Sequence, residues 1–129
     1  MDFSNIPWIA VAVAIVANMV LGFLWYGPIF GKAWMAAVGK QMDELNQSPT
    51  IYIVPILASG LIAVVVWNVM GALDLSGVIT AFWMWLGFIA LTSYTNHLFR
   101  GGPTNLWELE SGNHLVGMLI TGLILDLMG

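Results

Sequence analysis

Four uninterrupted apolar runs, at about residues 7–26, 51–72, 75–99 and 106–128, constrain this chain more than any other feature. A helix needs about 20 apolar residues to cross a hydrocarbon core roughly 30 Å thick, and each run is long enough. No water reaches the backbone inside that core, so only helices and closed barrels span it. Barrel strands would alternate apolar and polar residues over about 10 positions, and these runs do not alternate. The sequence predicts an all-α polytopic membrane protein, a single domain of four transmembrane helices over residues 1–129.

Composition excludes the main alternatives. Charged residues make up 8% of the chain, against about 25% in a soluble domain. Too little polarity remains to cover a water-facing surface, and a hydrophobic fraction of 60% excludes disorder. Three Lys and Arg residues leave no electrostatic footprint for nucleic acid. With no Cys, disulfides, thiolate metal sites and Cys nucleophiles are excluded. The first run lacks the basic lead-in of a signal peptide, Asp2 being the only charge before it, and reads as a retained helix.

The few basic residues predict an orientation. Lys32 and Lys40 lie between the first and second runs, and Arg100 lies between the third and fourth. Four spans place both loops on one side, and the positive-inside rule makes that side cytoplasmic, with both termini outside. Trp8 and Trp67 then fall near the outer interface, and Trp25, Tyr26, Tyr52 and Trp107 near the inner one, as an aromatic belt would. Trp83 and Trp85 lie deeper and read as packing between helices. Gly27-Pro28 ends or kinks the first helix. The segment at about residues 30–38 reads as a short surface helix, with Trp34 and Met35 in lipid and Lys32 and Lys40 at the headgroups. Trp25, Tyr26, Lys32 and Trp34 are its expected interfacial anchors.

Two stretches carry a resemblance. Trp25-Tyr26-Gly27-Pro28-Ile29-Phe30-Gly31-Lys32-Ala33-Trp34 follows the first apolar run, and Gly112-Asn113-His114-Leu115-Val116 lies in the last, with Gly122 beyond. Together they resemble a bacterial family of small integral membrane proteins with no assigned function. Its first hairpin reads Trp-Tyr-x-Pro-x-x-Gly-Lys-x-Trp and its last helix Gly-x-His-Leu-Val. The chain departs at Asn113, where an aromatic residue is common, and at Asp126, where a small residue is common. The resemblance implies four membrane helices in a bacterial plasma membrane. It carries over no activity and no catalytic residue.

Polar groups in a membrane protein are expensive and each asks for a reason. The densest set lies at the expected cytoplasmic end of the third and fourth spans: Asn96, His97, Arg100, Glu108, Glu110, Asn113 and His114. His97 and Arg100 share a helix face, as do Glu110 and His114. A pair between Arg100 and Glu108 or Glu110 fits this geometry. The cluster reads either as headgroup-level ion pairing, with Arg100 snorkelling, or as a solute or proton site with a titratable His114. His97, His114 and Glu110 would supply three zinc ligands, and the two histidines a haem pair, but neither spacing is diagnostic. No metal and no cofactor is expected.

Asn18 sits mid-span on a stripe with Ala10, Ala14 and Gly22, and reads as a hydrogen bond between closely approaching helices. Gly60 and Ala63 form a similar small-residue patch on the second span, and Gly117 and Thr121 on the fourth. So many small faces predict association with copies of the chain or with other membrane subunits. Phosphate loops, metalloprotease motifs and nucleophile elbows are absent, so no enzyme is expected. Two function classes follow: an oligomeric small-solute or proton channel or transporter, and a non-catalytic accessory subunit of a larger complex. A haem-binding electron carrier ranks behind both.

Overall fold

The computed structural model describes residues 1–45 and 47–129. All regular structure among them is helical. α1 spans Trp8–Leu24 and runs on through a widened π turn at Trp25–Ile29. α2 spans Gly31–Val38 and α3 Thr50–Leu73. α4 runs over Gly77–Arg100 and widens into a π segment at Trp85–Ala90, and α5 covers Thr104–Met128. Four of these helices, counting α1 with its π turn, are long and apolar enough to cross a membrane.

The hairpin after α1 follows from its residues. Pro28 lacks an N–H and its ring clashes with the carbonyl of the preceding turn, and Gly27 absorbs the kink at φ −109°, ψ −106°. The Phe30 N–H then reaches back to the Trp25 carbonyl at 2.8 Å. Gly31 is needed next, because a Cβ there would lie 2.8 Å from the Tyr26 carbonyl oxygen. α2 stops at Gly39, whose φ of 76° is the left-handed conformation that favours glycine at a helix end. The Trp34 ring returns to meet Tyr26 edge-on at 5.1 Å.

The α3–α4 turn is closed from a distance. Asp74 adopts φ 55° and Ser76 Oγ accepts from the Ile79 N–H. The carboxylate of Asp126, near the end of α5, accepts from the Gly77 and Val78 N–H groups at 2.6 and 3.2 Å. These are donors a helix leaves open at its start, and a negative charge there is favourable. Asp126 is thus a cap for α4 supplied by the neighbouring helix. At the same end the Asp2 N–H donates to Asn68 Oδ1 at 2.8 Å, and the Trp67 indole donates to the Asn5 carbonyl at 3.0 Å. Trp67 thereby anchors the chain start. Ser4 donates its hydroxyl and its amide to the Asp2 carboxylate and holds that carboxyl below the usual range.

α5 is the hub of the bundle and packs most extensively against α4 and α1. Small residues set the spacing on the terminal half. Ala10, Ala14, Ala63 and Ala81 are at most 1% exposed and let the helices close in. Gly77 and Gly122 touch backbone to backbone, and a Cβ on either would collide with the other's carbonyl. On the loop half the bundle loosens. Every residue over 51–58 of α3 is exposed, and tryptophans rather than alanines separate the other helices.

The small-residue faces are therefore used within one chain. Ala63 is fully buried, Gly60 faces Ile15, and Gly117 and Thr121 face Asn18. Gly22 differs, since a Cβ there meets nothing within 4 Å. Gly122→Ala should lower the unfolding midpoint in detergent, by about 1–3 kcal/mol or more for a forced helix separation. Gly22→Ala should stay within about 0.5 kcal/mol of the parent chain. Equal midpoints for the two variants would show that the Gly77–Gly122 contact does not set the helix spacing.

Candidate functional site

A cavity of about 280 Å³ opens at the loop end, between the end of α1, the second half of α4 and the first half of α5. Ser93, Asn96 and Arg100 line it from α4, and Trp107, Glu110, Ser111 and His114 from α5. Both sets repeat at three and four residues, which gathers side chains onto one helix face. Tyr26 adds a ring from the widened end of α1.

Tryptophan N–H groups hold the walls. The Trp25 indole donates to the Leu109 carbonyl at 3.0 Å, and the Trp85 indole to the Ser111 carbonyl at 2.9 Å. Trp107 donates the other way, to Ser93 Oγ at 3.0 Å and the Ala90 carbonyl at 3.3 Å, and meets Tyr94 edge-on at 4.9 Å. Three indoles thus pin α5 to α1 and α4. Gly112 makes room for one of them, since a Cβ there would lie 3.3 Å from the Trp25 ring. The π segment of α4 ends at Ala90, whose carbonyl accepts from both Ser93 Oγ and Trp107. Widened turns of this kind recur at functional sites.

Four residues of the polar cluster meet in the cavity: Asn96, Arg100, Glu110 and His114. Glu110 Oε2 also accepts a long 3.5 Å contact from the Trp34 indole, which ties the half-buried Trp34 ring to α5. Trp25 and Trp107, placed in an interfacial belt by their sequence positions, likewise face the helix contacts. Tyr26 is half-buried on the cavity, while Lys32 is exposed. Among the described residues no ion pair within 4 Å joins Arg100 to Glu108 or Glu110. The expected Arg–Glu pairing is replaced by two charges lining one space.

The other three cluster residues lie elsewhere. Glu108 is exposed and is not among the cavity residues. His97 is 6% exposed, stands beside Tyr94, and its Nδ1 has no hydrogen-bond partner. Asn113 is half-buried with its Oδ1 unpartnered. Since His97 does not line the cavity, neither the His97–Glu110–His114 set nor the histidine pair surrounds a common space. Among the described residues no three His, Asp or Glu side chains gather as a metal centre needs.

Asn18 lies outside the cavity. Its amide donates to the Ala14 carbonyl at 2.8 Å and to Thr121 Oγ1 at 2.9 Å, and Thr121 donates on to the Gly117 carbonyl. It joins α1 to α5, and a path past it would have to break that contact.

Ser93, Ser111 and Trp107 join the lining although none belongs to the polar cluster that the sequence predicts. The helical spacing 107, 110, 111, 114 was the available signal. Trp85→Phe removes a donor but keeps an aromatic ring, and should cost about 1 kcal/mol in an unfolding titration. Trp83→Phe, at a residue 60% exposed, should cost no more than about 0.5 kcal/mol. Equal costs would mean that the Trp85–Ser111 bond does not hold the wall.

The sequence profile of the DUF1761 family, proteins of unknown function, matches residues 9–126. No curated protein and no solved structure matches the chain. The matched stretch includes all of the cavity residues and the Asp126 cap. The chain belongs to the DUF1761 family.

Proposed function

We propose that this protein is a non-catalytic, multi-pass membrane protein of the bacterial plasma membrane that takes up a small polar solute in the loop-end cavity, as a transporter or channel subunit does. The observation carrying this reading is the convergence of Asn96, Arg100, Glu110 and His114 on one cavity of about 280 Å³. Polar and charged groups are costly at membrane depth and tend to mark solute and ion pathways. Small, mostly preformed hollows with a few convergent polar groups are the usual form of a binding site.

The cavity faces the cytoplasm in this reading. Lys32, Lys40 and Arg100 all belong to the loop end, which supports that side by the positive-inside rule. The far half of the bundle is filled by Ala14, Val66, Ala81 and Leu125, each at most 1% exposed. A solute entering from the loop end therefore meets a packed floor, and passage requires the helices to move or a second copy to complete the path. The accessory-subunit reading drew on small-residue faces, and most of these are occupied within the chain.

The absence of Cys makes a direct test available, since each introduced thiol is unique. Ser93→Cys lines the cavity and Thr92→Cys lies next to it on the exposed side of the same helix. A small water-soluble thiosulfonate should label Ser93→Cys at least tenfold faster than Thr92→Cys. The faster rate should appear when reagent is added to the face bearing Lys32 and Lys40. Equal rates would remove the water-filled cavity, and a faster rate from the opposite face would reverse the orientation.

A further inference from the structure

We infer that the cavity selects a small zwitterion, its cationic group at Glu110 and its anionic group at Arg100; this rests on the solute-cavity reading above. Arg100 ends α4 and presents a planar guanidinium whose donors match a carboxylate or phosphate. Glu110 lies in the second turn of α5. Both line the same cavity, and among the described residues neither has an ion-pair partner within 4 Å. Flexible surface charges of opposite sign at one site usually close on each other. Here Trp34 touches Glu110 from α2, and the tryptophan contacts hold α5 at a fixed spacing from α4.

An anion alone would gain Arg100 and be repelled by Glu110, and a cation alone would meet the converse. A molecule carrying both charges a few bonds apart satisfies both groups at once. Such selection by opposed charges is how a site rejects a wrong partner as well as holding the right one. Trp107 and Tyr26 supply aromatic surface for the carbon skeleton, and the volume limits that skeleton to a small molecule. The same chemistry occurs in a free amino acid and in a phosphoethanolamine lipid headgroup, and the test separates the two.

The full chain carrying Ser93→Cys is placed in phosphatidylglycerol nanodiscs, which contain no cationic group. Protection of the thiol from labelling is then measured for glycine, β-alanine, γ-aminobutyrate and taurine. Acetate, methylammonium and acetamide serve as single-charge and neutral probes. At least one zwitterion should protect at a concentration tenfold or more below that needed by acetate or methylammonium. Arg100→Gln and Glu110→Gln should each abolish that preference, while Arg100→Lys should retain part of it. Protection by phosphatidylethanolamine in the disc, without any soluble probe, would identify the zwitterion as a lipid headgroup. Acetate or methylammonium protecting as well as every zwitterion would overturn the inference and leave the solute cavity standing. Protection by no probe and no lipid would overturn both. The probe comparison on unsubstituted Arg100 and Glu110 decides the matter even if the Gln variants fail to fold.

Discussion

The close approach of α5 to its neighbours on the terminal half is the constraint from which the rest follows. Gly77 and Gly122 touch through their backbones, and a layer of buried alanines continues that spacing into α1 and α3. In lipid the hydrophobic effect does not drive helices together, because acyl chains are as apolar as the side chains they would replace. Packing contacts and hydrogen bonds must do it. The glycine pair brings backbones within reach, and the Asp126 carboxylate then closes the start of α4 from across the interface.

The same helices meet differently at the other end. Trp25, Trp85 and Trp107 each donate an N–H across a helix contact. Contacts between these helices are thus made by small residues on one half and by aromatic residues on the other. The cavity lies on the aromatic half. Its polar lining comes from two helices whose spacing is set elsewhere, which keeps charged groups facing a common space. The two π segments occur where α1 and α4 reach this half, and they carry Trp25, Tyr26 and Trp85.

Asn18 shows how little polarity the tight half tolerates. Its amide is spent within two helices, on Ala14 and Thr121, and Gly117 leaves room for it. Arg100 and Glu110 instead line the cavity. Asn18 has its partner within the fold, whereas among the described residues Arg100 and Glu110 have no ion-pair partner within 4 Å.

Much was legible in the sequence because it depends on local properties. Run length and the absence of charge specify helices that cross a bilayer, since backbone groups in lipid must be satisfied within the segment. The Gly27-Pro28 kink is written in residue type, and Asn18 as a bond between helices followed from its position on a small-residue stripe. Spacing also showed that Glu110 and His114 share a face. The partners across each contact were not legible. Trp25 and Trp34 have the composition of membrane anchors, yet both indoles donate to α5, Trp25 from the end of α1 and Trp34 from beyond the hairpin at Gly27. Sequence position groups His97 with the cluster, but the fold buries it outside the cavity lining. Periodicity fixes relative angle along one helix and says nothing of its rotation against the next. That rotation is decided by which small residues meet, and only the tertiary structure brings Gly77 to Gly122 and Asp126 to the start of α4.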